Sequence, residues 1–228
     1  MDDPARQPQI DEAHRAIGRY FARFSQLVFR MRYAMSWRLT SGHDPIELGE
    51  LAFAGAAAQH IADSFFLMCR FDGSFDDDEL DIAGTLRDAV NAEITYRNYY
   101  AHGDWWIGGL SPGASATTAD PELIRMLPRS RKGDFADLEA YAPAKLNAQS
   151  EQLLELVQNV AEFGALALGH PVVVVAGDGL THADKRHYRV KDVFAIEPGR
   201  SGTGGQKKRV TRTGPKAAEI VRVAHYVA

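Results

Sequence analysis

Three features of the sequence predict an all-α fold: an antiparallel four-helix bundle with a C-terminal extension that is partly β. Four long segments, residues 11–39, 45–71, 77–101 and 144–168, carry apolar residues at helical spacing. The connections between them are short except for the third, which favours antiparallel neighbours. Past Gly169 and Pro171 the helical period stops and short apolar runs replace it. The expected division is a helical bundle over residues 1–169 and an extension over residues 170–228.

The first helix carries Ile17, Tyr20, Phe21, Phe24, Leu27, Val28, Met31 and Met35 on one side. Arg15, Arg19, Arg23 and Arg30 fall on the other, either as a solvated face or as a groove that follows phosphates. Asp44, Pro45 and Glu47 have the residue types and spacing of a helix start, and the second helix is expected to run on to about Phe71. The acidic run Asp76-Asp77-Asp78-Glu79 opens the third helix. It lacks the alternating ligands and glycine of an EF-hand, so it is read as carboxylates favoured by the helix dipole. The buried face of that helix is expected to be Ala83, Leu86, Val90, Ile94 and Ala101. Arg97 falls on the same face and needs a partner, for which Glu93, one turn earlier, is nearest. His102-Gly103 ends the helix.

In the long third connection, residues 111–120 form a small-residue loop, residues 124–127 a short strand and residues 129–133 a basic turn. The fourth helix is marked by Leu146, Leu153, Leu154, Leu156, Val157 and Val160. Beyond it, strands are expected at residues 172–175, 188–196 and 220–227, with a flexible linker at residues 198–206.

Of the 228 residues 45% are hydrophobic and 25% charged, which excludes wholesale disorder. The net charge of −4 is uneven. Residues 1–168 hold 15 Lys and Arg against 25 Asp and Glu, and residues 169–228 hold 11 against 5. An acidic body with a basic tail suggests a polyanion or an acidic partner at the tail. The lone Cys69, inside an apolar run, reads as a buried small hydrophobe in a reducing compartment. Met1-Asp2-Asp3-Pro4 lacks the layout of a secretion signal, so a cytoplasmic location is expected. The most apolar stretch, residues 51–69, contains Gln59, His60 and Asp63, so it reads as a core helix with no membrane association.

Several chemistries lack their motifs. There is no HExxH, no paired cysteines and no histidine cluster for a metal, and no G-x-S-x-G for a serine hydrolase. The glycine-rich run 199–205 has Gly205 where a phosphate loop needs lysine, and reads as linker. What remains is Arg97-Asn98-Tyr99-Tyr100-Ala101-His102-Gly103. A histidine can move a proton near neutral pH, and a guanidinium can offset charge building on a phosphate. Asn98 can orient a ligand oxygen or hold the histidine tautomer.

R-x4-H with asparagine after the arginine, closing the third helix of such a bundle, resembles the HEPN superfamily over residues 10–168. That resemblance implies a metal-independent endoribonuclease without cofactor, serving as a toxin or phage-defence effector. It further implies RNA as substrate, a homodimer whose two Arg/His pairs share a cleft, and an antitoxin or defence-system partner. Carried over, His102 is the general acid/base, Arg97 the phosphate-stabilising cation and Asn98 their support. The 2′-hydroxyl of the substrate attacks its own phosphate and leaves a cyclic phosphate and a 5′-hydroxyl. Some HEPN toxins carry a tyrosine two residues after the histidine; Asp104 stands there, so silencing through that tyrosine is not implied. The family also contains catalytically silent nucleotide- or protein-binding modules, which is the alternative reading. Trp105 and Trp106 either stack an unpaired base or plug the bundle end. Arg200, Lys207, Lys208, Arg209, Arg212, Lys216 and Arg222 either hold RNA or dock on an acidic surface.

Overall fold

Helices make up most of the described chain. The computed structural model describes residues 7–40, 47, 51–72, 75–102, 104–107, 124–127, 139–141, 143–168, 173–174, 189–199, 207–213 and 220–221. The long helices are α1 (Gln7–Thr40), α2 (Ala58–Asp72), α3 (Asp77–His102) and α4 (Pro143–Ala167). Between α3 and α4 lie β1 (Asp104–Ile107), β2 (Ile124–Leu127) and β3 (Glu139–Tyr141), an antiparallel sheet in that order. The expected strand at residues 124–127 is present. The extension contains β4 (Val173–Val174), α5 (Val190–Val193), β5 (Phe194–Gly199), β6 (Lys207–Arg212) and β7 (Ile220–Val221). The protein is therefore mainly α-helical, a helical bundle with a partly β extension. Among the described residues no helix is long and apolar enough to cross a membrane.

By compactness the chain forms two units, residues 1–27 with 92–157 and residues 28–91 with 158–228. The first unit buries Ala13, Ala16, Tyr20, Phe24 and Leu27 of α1 with Ile94 and Tyr100 of α3 and Leu146, Leu153 and Val157 of α4. The second is built on aromatic rings. Phe163 of α4 lies 6.2 Å from Phe65 and 6.0 Å from Phe66 of α2, and 5.8 Å from Phe75. Gly164 has no side chain because a Cβ there would meet the Phe65 ring at 3.0 Å and Ala34 of α1 at 3.2 Å. Asp63 of α2 pairs with Arg87 of α3 at 2.8 Å, and Gln59 donates to Asn91 at 2.9 Å. Cys69 is buried, as expected.

Three expectations about the helices need correction. The second helix does not run unbroken to Phe71: residues 51–53 are helical, a turn follows, and α2 starts at Ala58. Gly55 is the cause, since it adopts φ 73°, a left-handed conformation that side chains resist. Leu51, expected in a core helix, is 81% exposed. Asp44 and Pro45 lie outside the described residues, as do the loop at 111–120 and the turn at 129–133. On α3, Ala101 is exposed and Tyr100 takes the core position instead.

The extension departs more. Residues 188–196 are not one strand. The Asp192 carboxylate accepts from the Arg189 backbone N–H at 2.8 Å, which winds α5 before β5 begins. Pro198 and Gly199 belong to β5, opposite Lys208 and Lys207, and residues 200–206 lie outside the described residues. Proline is tolerated there because, among the described residues, the sheet has two strands, each of them an edge. The basic stretch 207–212, expected as tail, is strand β6. With the two-residue period of a strand, Lys208 reaches Asp81 of α3 at 2.9 Å, Val210 is buried, and Arg212 reaches Glu162 of α4 at 2.8 Å.

The acidic run at the start of α3 explains how the extension is anchored. Asp76 and Glu79 form a reciprocal cap: each backbone N–H donates to the other's carboxylate at 3.1 Å. The same carboxylates receive cations from the extension. Arg189 grips Glu79 through Nε at 3.1 Å and through Nη2, and Lys191 donates to Asp76 at 2.6 Å. The hydrogen bond from Lys191, then that from the Glu79 N–H, hold Asp76 below the usual carboxylate range. Burial pushes Glu79 up, but the bond from Arg189 and the cap outweigh it and the net shift is down. Carboxylates depressed in the fold add stability above their ordinary values of 3.8 and 4.5, and lose it as pH falls through the lower folded values. Acidification is therefore expected to release residues 189–199 before the α2–α4 core opens. Hydrogen exchange of those segments between pH 7 and pH 2 checks this; simultaneous loss of protection in both segments contradicts it.

Candidate functional site

The last three turns of α3 carry the R-x4-H segment. Arg97 is half-buried, while Asn98 and His102 are exposed. Asn98 and His102 are four residues apart and share a helix face. Arg97 and His102, five apart, lie about 7.5 Å apart along the axis and about 140° apart around it. A single helix therefore does not bring guanidinium and imidazole face to face. Asn98 bridges part of the gap, its Oδ1 accepting from Arg97 Nη1 at 3.1 Å.

The expected Arg97–Glu93 pair is not made. The Arg97 guanidinium carbon sits 5.9 Å from the centre of the Phe24 ring on α1, a cation–π placement. Among the described residues no carboxylate forms an ion pair with Arg97 and none of the side chains hydrogen-bonds His102. Glu93 turns the other way, into a polar cluster among buried rings. Tyr20 donates to Glu93 Oε2 at 3.0 Å and lies 3.3 Å from the Glu93 carbonyl. The Gln149 amide of α4 favours the charged form of the same carboxyl. Tyr100 donates to Gln149 Oε1 at 2.6 Å, and its ring packs edge-on to Tyr20 at 5.0 Å.

Burial pushes the Glu93 carboxyl above the usual carboxylate range, with the bonds from Tyr20 and Gln149 opposing it. Burial, then the Glu93 charge, push the Tyr20 phenol up as well. Tyr20 thus stays a neutral donor. Sequence reasoning placed Tyr20 on the apolar stripe and missed this cluster. The available signal was Gln149, a polar residue three positions after buried Leu146 and four before buried Leu153.

The arginines of α1 are tied to neighbours. Arg15 pairs with Glu12 at 3.2 Å. Arg19 donates to Asn147 of α4 at 3.2 Å, and Asn147 in turn donates to Glu12 at 3.2 Å. Arg23, its side chain 17% exposed, lies 2.9 Å from Glu151 of α4. Arg15 and Arg19 remain exposed, while the charge of Arg23 is matched within the protein. Trp105 and Trp106 lie on β1, opposite Met126 and Arg125 of β2. Of the basic tail, Lys208 and Arg212 are matched by the protein's own carboxylates; Arg200, Lys216 and Arg222 lie outside the described residues.

The structure thus gathers Arg97, Asn98 and His102 on one helix end, diverts Glu93 to a different task, and puts Arg19 and Arg23 in the contact between α1 and α4. No protein-family model, no curated protein and no solved structure matches this chain.

Proposed function

We propose that this chain is a HEPN-type endoribonuclease that needs no metal, acts as a homodimer on RNA in the cytoplasm, and serves as a toxin or phage-defence effector. The observation that carries the reading is the state of the motif: Arg97 makes no ion pair with Glu93 or with any other described carboxylate, it donates to Asn98, and Asn98 shares its helix face with an exposed His102. A structural arginine would be neutralised by the carboxylate one turn away, and a guanidinium kept for a phosphate would not. The angular offset of Arg97 from His102 also supports a cleft completed by a second copy.

In this reading the 2′-hydroxyl attacks the adjacent phosphorus and the bond to the 5′ oxygen breaks. One His102 accepts the hydroxyl proton and the partner copy's histidine returns a proton to the leaving oxygen. Arg97 offsets the charge on the non-bridging oxygens. The nucleophile belongs to the substrate, so no cofactor is required.

The test is incubation of the purified protein with mixed cellular RNA in EDTA, with analysis of the ends. Fragments with 2′,3′-cyclic phosphate and 5′-hydroxyl ends are expected. A folded dimer that cuts no RNA type replaces this reading with a silent binding module.

A further inference from the structure

We propose that Glu93 is a positioning residue, and that the Tyr20–Glu93–Gln149–Tyr100 cluster is a polar clamp that fixes the end of α3 carrying Arg97, Asn98 and His102. The proposal rests on the ribonuclease reading for its purpose, and on the geometry alone for its existence.

The clamp grips α3 on both sides of Arg97. Glu93 lies one turn before Arg97, and Tyr100 lies between Asn98 and His102, so the motif is held at two points along the helix. The lower point is tied to α1 through the bond from Tyr20. The upper point is tied to Gln149 of α4 through the 2.6 Å bond from Tyr100. The Tyr20 ring joins the two points: its hydroxyl donates to Glu93 while the ring packs against that of Tyr100 at 5.0 Å.

Direction matters too. Tyr20 donates to Glu93, which ends the chain as acceptor. This arrangement suits a carboxylate that takes no cation, and it leaves Arg97 free of the residue expected to neutralise it. A helix terminus otherwise frays, because its final carbonyls lack partners within the helix. Hydrogen bonds to a partly buried charge are directional and resist that fraying more than apolar packing alone. A site whose members must hold position to within about half an ångström needs such support.

The experiment uses the full chain and four variants: Gln149→Leu, Tyr100→Phe, Glu93→Ala and Glu93→Gln. Readouts are amide exchange across α3, the melting temperature, and kcat and KM on a single-stranded RNA. In Gln149→Leu and Tyr100→Phe, exchange at residues 98–102 is expected to rise about 5–10-fold, the loss of the bond between Tyr100 and Gln149, while residues 82–90 stay unchanged. In these variants kcat falls by a similar factor or more with KM nearly constant. Glu93→Gln keeps an acceptor for Tyr20 and recovers most of what Glu93→Ala loses.

Exchange that is unchanged, or that rises equally along α3, overturns the clamp. So does a local rise with kcat intact. If wild type cuts no RNA, the ribonuclease reading fails by itself, and a local rise in exchange still upholds the clamp while its absence refutes it. Should Gln149→Leu not fold, Tyr100→Phe decides, because it removes a single hydroxyl from a ring whose packing remains.

Discussion

His102→Ala is expected to lower RNA cleavage by about 10²–10⁴-fold while leaving the melting temperature within error of wild type. The two halves of this prediction have separate physical causes. The loss is the usual contribution of a positioned proton-transfer group. The unchanged stability follows from exposure: His102 ends α3 in solvent, and no described side chain hydrogen-bonds it. Arg97→Ala should differ in the second half. It removes the cation from the Phe24 ring and the bond to Asn98, so it costs about 1 kcal/mol of stability as well as activity. Cleavage assays beside thermal melts separate the two variants. Undiminished cutting by His102→Ala would move the chemistry away from this helix end.

Phe163→Ala should destabilise the fold by about 3–5 kcal/mol, the range for removing a fully buried phenylalanine. Phe163 is 0% exposed and meets rings from Phe65, Phe66 and Phe75. The cavity will close poorly. Gly164, the next residue, already brings the α4 backbone against Phe65 and Ala34, so there is little room for the helix to move inward. Urea denaturation gives the difference directly, and a value under about 1 kcal/mol would mean that these rings do not form the core of their unit.

These predictions fall on features that differ in how readable they were. The helical segments were legible because buried residues repeat at helical spacing, and packing merely uses that stripe: Leu27, Met31 and Met35 on α1 and Leu86, Val90 and Ile94 on α3 are all buried. The motif was legible for a similar reason, since Arg97, Asn98 and His102 lie within two turns of one helix. The polar cluster around Glu93 was not, because Tyr20 lies 73 residues from Glu93 and the Gln149 that receives Tyr100 lies on α4. Local spacing makes Glu93 and Arg97 neighbours, yet it says nothing about a phenol arriving from another helix.

The extension teaches the same lesson through charge. Its basic character was plain from composition, and composition alone left RNA and an acidic surface equally open. Tertiary structure placed Lys208 and Arg212 against Asp81 and Glu162, and Arg189 and Lys191 against the cap of α3. A strand of lysines and arginines has no stable partner until the acidic helices are folded beside it.

By itself, then, the sequence determined the helices, apart from the break before Ala58, and the helix end that carries arginine, asparagine and histidine, because each depends on residues a few positions apart. Only the tertiary structure decided which carboxylate meets which cation and which polar groups are buried together. Those choices depend on desolvation and on contacts between segments far apart in the chain, and neither is written in local order.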